Sequence, residues 1–171
     1  MNDSVHRSFL ERQFEEAMAL AASSDILRLM PIPESPPWQY LAEYRCKGLI
    51  QNPTGEIVEH NLFAVGITFP EDYLRHVDIG TVVTYLGPEP VVWHPNIQGP
   101  FVCLDIRVGT SLVDILYGCF ELLTWNLINP GDGLNPAASQ WARHQDPARF
   151  PIERRPLKRR AVHLQIEEAA R

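Results

Sequence analysis

Along residues 4–22 the apolar residues Leu10, Phe14, Ala17, Met18 and Ala21 return at helical spacing, with Glu11, Arg12, Glu15 and Glu16 on the other side. This predicts an amphipathic helix. Asp3 or Ser4 can cap its start by accepting a backbone N–H bond, and Ser23–Ser24 ends it. The period then changes. "ILRLMPIP" (26–33) reads as a short edge strand, cut off by "ESPP", whose prolines cannot donate to a ladder. "WQYLAEYRCKGLI" (38–50) alternates, with Tyr40, Ala42, Tyr44 and Cys46 on one face and Glu43, Arg45 and Lys47 on the other. "NPTG" (52–55) is a turn, "EIVEHNLFAVGITF" (56–69) the returning strand, and "GTVVTYLG" (80–87) a β-branched fourth strand. Residues 88–110 carry no clear regular element.

The second half turns helical. "SLVDILYGCFELLTW" (111–125) places Leu112, Ile115, Leu116, Cys119, Leu122 and Leu123 on one stripe. Ser111 followed by Asp114 resembles a capping box. "INPGDG" (128–133) is a loop, and "NPAASQWARHQ" (135–145) fits a shorter helix with Pro136 at its first position. From about residue 146 the chain is rich in Pro and Arg ("RFPIERRPLKRR"), with a last helix expected near 161–170. The expected class is α+β: one helix, an antiparallel meander of four strands, an irregular loop and C-terminal helices. One domain is expected over residues 1–145, with 146–171 an extension packed on it or flanking it.

Composition narrows the function. At 171 residues the chain suffices for one domain with a real core. A net charge of −6 argues against general nucleic-acid binding, which needs a basic surface. The basic run Arg154, Arg155, Lys158, Arg159 and Arg160 reads as a solvated face, or else as a dock for an acidic partner. No apolar run approaches the roughly 18–20 residues of a membrane span. The N-terminus is charged from the start and lacks a signal-peptide core, so no membrane association and a cytoplasmic location are expected. Three cysteines in no framework spacing argue against a disulfide scaffold. No metal-ligand spacing or phosphate loop appears, so no metal and no cofactor are expected.

The candidate chemistry lies in "HPNIQGPFVC" (94–103). Cys119 sits on its helix stripe and Cys46 on the face shared with Tyr40 and Tyr44, as small buried hydrophobes. Cys103 follows a loop with Pro95, Gly99 and Pro100, where reactive groups are often presented. Its apolar neighbours Phe101, Val102, Leu104 and Ile106 keep a structural reading equally open. A Cys–His hydrolase would need His94, His60 or His144 within hydrogen-bond reach of Cys103.

"HPN" (94–96) with "CLDI" (103–106), "FPEDY" (69–73) and "NPGDGLNPAA" (129–138), in this order, resemble the ubiquitin-conjugating enzymes over roughly residues 5–145. The resemblance implies that Cys103 carries the C-terminus of a ubiquitin-like protein as a thioester, which an amine of a protein target attacks. It implies Asn96 as oxyanion donor or loop support and Asp132 as acceptor for the attacking amine. Alone, both residues read as turn formers. His94 and Pro95 are implied to structure the loop. An ATP-dependent activating enzyme is the implied partner, reading the helix face of Glu11, Arg12 and Glu15.

Departures from the pattern refine the expectation. The loop before Cys103 is about one residue short, Leu74 replaces the usual proline, "RVGT" (107–110) replaces a longer segment with a tryptophan, and the tail lacks the usual last helices. The missing segment is part of the surface used by RING-type ligases, which argues against such a ligase. The divergence is similar to that of bacterial conjugating enzymes of ubiquitin-like operons, associated with antiphage defence and a JAMM-type metallopeptidase. The alternative is a non-catalytic adaptor of the same fold that binds ubiquitin-like proteins.

Overall fold

A computed structural model describes residues 4–89, 92–129, 131 and 133–159. Helix α1 spans Ser4–Ala22, as its periodicity predicts. Its buried side is Phe9, Leu10, Gln13, Ala17 and Leu20, while Phe14, Met18 and Ala21 are half-buried. The expected stripe is thus rotated, because the helix packs against a second helix as well as the sheet. Asp3, one of the two candidate caps, lies outside the described residues.

Six strands form the main sheet: β1 (Leu27–Pro31), β2 (Gln39–Tyr44), β5 (Phe63–Thr68), β6 (Val83–Gly87), β8 (Phe101–Val102) and β7 (Ile97–Gln98), in that spatial order, all antiparallel. β3 (Gly48–Gln51) and β4 (Ile57–His60) pair separately. The expected strands 38–50 and 56–69 are therefore each two strands. The break has a steric cause at Gly48, where a Cβ would sit 2.5 Å from the Leu123 carbonyl oxygen and 2.7 Å from the Phe63 ring. The chain can pass there only as glycine, and beyond it β3 and β4 turn away to cover a second core. The expected strand 80–87 begins instead as a short helix, α2 (Ile79–Val82), with the Asp78 side chain accepting from Gly80 N–H. Two short strands also lie in 88–110, where none was expected.

Alternation on β2 and β5 buries Tyr40, Ala42, Tyr44, Phe63, Val65 and Ile67 against α1 and α3 (Leu112–Leu123). The buried Tyr44 hydroxyl donates to the Leu116 carbonyl at 2.9 Å. Ser111 caps α3 as expected, accepting from Asp114 N–H at 3.0 Å. The next amide is served from outside: the buried Gln13 Oε1 accepts from Leu112 N–H at 2.7 Å. A helix leaves its first four N–H groups without internal partners, and this one lies where water cannot replace the bond.

Beyond α4 (Pro136–Arg143), capped by Asn135, and a 3₁₀ turn (Pro147–Arg149), the tail runs back over the domain. Ile152 N–H donates to the Thr124 carbonyl, Leu157 is buried, and the Arg159 guanidinium donates to the Ala22 carbonyl at the end of α1. Arg155 pairs with the nearly buried Glu153 at 2.8 Å and donates to the Arg45 carbonyl. Two cations of the basic run, Arg155 and Arg159, therefore fasten the tail, which corrects the reading of the whole run as a solvated face. Arg154 and Lys158 are exposed. Arg160 and the helix expected at 161–170 lie outside the described residues.

Replacing Gln13 by Met keeps its bulk and removes the acceptor. The expected loss is about 1–3 kcal/mol, the penalty of a buried unsatisfied donor, read from the urea midpoint. An unchanged midpoint would sink this role for Gln13.

Candidate active site

Residues 101–107 alternate between exposed and buried. Phe101, Cys103, Asp105 and Arg107 face solvent, while Val102, Leu104 and Ile106 enter the core. Leu104 seats against Gly118 of α3, where a Cβ would lie 2.7 Å from its Cδ1. That contact holds the backbone beside Cys103 without covering the thiol. Of the three cysteines only Cys103 is exposed. Cys46 and Cys119 are buried, and burial pushes both thiols up to about 12, so neither forms a thiolate near neutral pH.

The tripeptide His94-Pro95-Asn96 ties the cysteine segment to the loop that leaves α3. The Asn96 carbonyl accepts from Cys103 N–H at 2.8 Å. The Asn96 side chain accepts from Asn129 N–H at 3.0 Å and donates to the Asn129 carbonyl at 3.3 Å. The Pro95 carbonyl accepts from Asn135 N–H at 2.9 Å. Gly133 lies so close that a Cβ there would stand 3.0 Å from the Pro95 oxygen and 2.2 Å from Ser139 Oγ.

His94 is fully buried and uses both ring nitrogens. Nδ1 accepts from Asn96 N–H at 3.0 Å, so the proton sits on Nε2, which donates to the Leu127 carbonyl at 3.1 Å. Burial lowers its pKa to about 3, against a smaller opposing effect of the Leu127 bond, and keeps it neutral. A neutral imidazole with no free nitrogen cannot serve Cys103 as a base. His144 is bonded to Gln140, and His60 packs on Phe63 in the outlying hairpin. No hydrogen bond joins Cys103 to a histidine among the described residues, so the hydrolase geometry is absent from them.

Beneath His94 lies a second core of Trp93, Trp125, Trp141, Phe150 and Leu49. Trp125 meets His94 edge to face with centroids 4.8 Å apart and stacks on Phe150. It has φ of +62°. It occupies the left-handed position that ends α3, where glycine is usual: Asn126 N–H bonds the Glu121 carbonyl and Trp125 N–H the Leu122 carbonyl. The strain is roughly 1–2 kcal/mol. Burying an indole of about 150–250 Å² at about 25 cal/mol per Å² contributes roughly 4–6 kcal/mol, so packing wins.

Asp132, the expected acceptor for an amine, lies outside the described residues; its neighbours Gly131 and Gly133 are within them. Glu11, Arg12 and Glu15 are exposed on α1, with Arg7 paired to Glu11 at 3.1 Å. The link 107–110 is a closed turn, with Thr110 N–H on the Arg107 carbonyl and Gly109 at φ +81°. Sequence reasoning missed Leu127, Asn129 and Asn135 as anchors, because all three meet the tripeptide through backbone groups. The paired Asn-Pro steps at 129 and 135 are the one visible signal. The described residues contain no cluster able to hold a metal ion, and no helix among them is long and apolar enough to cross a membrane.

Against known proteins, no family model and no curated protein matches the chain. Among solved structures the chain is similar to human ubiquitin-conjugating enzyme E2 G1, with 18% identity, 67% of this chain and 90% of that chain covered, and a TM-score of 0.45.

The neutral His94 makes stability depend on pH with a definite sign. Its folded pKa of about 3 lies below the ordinary histidine value of 6.5, so the unfolded state takes up the proton first. The stabilisation is complete above the unfolded value and is lost as pH falls through the window down to about 3. Urea unfolding should show a loss of about 2 kcal/mol between pH 7 and pH 5. His94→Gln should be less stable at pH 7 and nearly flat over that range. A variant as pH-dependent as the wild type would refute the assignment.

Proposed function

We propose that this chain is a conjugating enzyme, which carries a ubiquitin-like protein as a thioester on Cys103 and transfers it to an amine of a protein target. The observation that carries this reading is the coupling of HPN to the cysteine: one exposed thiol, bonded through its own backbone to Asn96, whose amide holds the loop that runs on to Asp132. An adaptor that only binds ubiquitin-like proteins needs no accessible thiol in this setting.

In the first step the Cys103 thiolate attacks the carbonyl carbon of the ubiquitin-like protein's C-terminus, delivered as a thioester by an ATP-dependent activating enzyme. A new Sγ–C bond forms and the activating enzyme's thiolate leaves. In the second, the target's amine attacks the same carbon, and collapse of the tetrahedral intermediate expels the Cys103 thiolate. The Asn96 amide carries two hydrogens and commits one to the Asn129 carbonyl; the other is the donor for the oxyanion. Asp132 orients the amine and accepts its proton. His94 and Pro95 keep the loop in shape and take no proton. A thioester is already activated, so acyl transfer needs no histidine base.

The exposed face of Glu11, Arg12 and Glu15 is the surface for the activating enzyme, and the closed 107–110 turn leaves little for a RING-type ligase to grip. The departures from the usual pattern fit a divergent cytoplasmic member of a bacterial ubiquitin-like operon acting in antiphage defence.

The test is charging with purified activating enzyme, ATP and ubiquitin-like protein. Wild type should give an adduct removed by reducing agent, Cys103→Ser an adduct that resists it, and Cys103→Ala none. A reducible adduct on the Cys103→Ala protein would defeat the reading. Asp132→Ala should load normally yet discharge to free lysine at least about 10-fold more slowly at pH 7, with recovery toward pH 9 as free amine becomes plentiful. A defect constant across that range would remove Asp132 from the amine step.

A further inference from the structure

The basic run near the C-terminus has no part in the thioester chemistry, yet one of its members, Arg155, builds a wall. Arg155 is clamped by Glu153, which accepts from its guanidinium and its backbone N–H and also from Arg154 N–H and Lys47 N–H. Burial alone would raise the Glu153 pKa; these donors outweigh it and bring it down to about 2. The carboxylate is thus spent on holding the tail against the end of β2. Beside it opens a cavity of about 640 Å³ lined by Arg45, Cys46, Lys47, Asn61, Leu62, Glu153 and Arg155. Its floor is apolar: Leu62 stands 46% exposed, an uncovered side chain where the long hairpin breaks. Its rim is cationic. Arg45, Lys47 and Arg155 supply it, and Arg45 forms no ion pair among the described residues. Lys47 meets Glu59 only at 3.5 Å with both side chains more than half exposed.

This concentration of positive charge belongs to a chain of net charge −6. Exposed like charges repel, so gathering them at one apolar hollow costs stability unless an anion is met there. The hollow between them suits an aliphatic side chain and offers nothing to a phosphate backbone, which would leave Leu62 uncovered. We propose that this cavity and its tail wall form a docking site for an acidic protein segment with a single aliphatic side chain, Leu62 receiving the aliphatic group while Arg45 and Lys47 pair with the flanking carboxylates. The site is independent of Cys103 and of the conjugation chemistry.

The experiment is an NMR titration of the isotope-labelled full chain with the peptide Asp-Glu-Leu-Asp-Glu, blocked at both ends. Saturable shifts should centre on Leu62, Asn61 and Lys47 and weaken as salt is raised. Replacing the peptide's Leu by Ser should weaken binding about 10-fold, as expected for losing one buried aliphatic group. Arg45→Glu with Lys47→Glu should weaken it by a similar or larger factor. These side chains are exposed, so an unchanged melting temperature verifies the fold. Cys103→Ala should bind like wild type. Absence of saturable shifts, equal affinity for the Ser peptide, or tighter binding of a single-stranded DNA 12-mer to the same residues would each overturn the proposal.

Discussion

The buried, neutral imidazole of His94 is the contact on which the site depends. It accepts from the backbone two residues on and donates to a carbonyl 33 residues away, so one ring sets both the turn that leads to Asn96 and the path of the chain leaving α3. A protonated ring could not accept from Asn96 N–H, and it would carry a charge into a place with no counterion among the described residues. The aromatic core beneath it, with Trp125 at 4.8 Å, excludes the water that would otherwise stabilise that charge. Hydrophobic packing and hydrogen bonding are here one device: the core keeps the imidazole neutral, and the neutral imidazole joins the loops.

That device explains how a small domain presents a thiol without surrendering rigidity. Cys103 is exposed, but both neighbours in the chain are buried, and Gly118 admits Leu104 into the surface of α3. The backbone of the exposed group is held on one side by the Asn96 carbonyl and on the other by Leu104. The two remaining thiols are withdrawn chiefly by burial, to which the Glu153 carboxylate adds at Cys46. Selectivity among three identical side chains is therefore a matter of solvation, settled before any catalytic partner is considered.

The two cores are held together at their margins. Gly48 lets the hairpin cross the end of α3, and the tail from Phe150 to Arg159 closes over the same helix end and over the end of α1. The ends of helices leave carbonyls without partners, and Ile152 N–H and the Arg159 guanidinium supply the missing donors at Thr124 and Ala22. A segment rich in proline and arginine, poor material for a helix, is well suited to this work: it makes few demands for its own backbone and carries long donors.

Much of this was legible in the residues. Periodicity located α1 and α3, the Ser111 cap and the alternating faces of β2 and β5, because each depends on neighbours a few positions apart. The resemblance carried by HPN and CLDI pointed to Cys103, whose local context alone left a structural reading equally open, and the cap of α4 at Asn135 was one residue from its expected Pro136 start. What periodicity could not reveal depends on distance in the chain. Gln13 is polar, yet it is buried and accepts from an amide of α3, 99 residues on. The strands 38–50 and 56–69 read as continuous, and they break because a helix end occupies the space beside Gly48. The basic run read as a solvated face, and half its visible members instead satisfy carbonyls and a carboxylate elsewhere. Sequence by itself determined most of the elements, since local sterics and side-chain alternation act over a few residues. Only the tertiary structure decided which polar groups are buried and what they hold, since a buried hydrogen bond is set by whichever partner the fold brings within 3 Å.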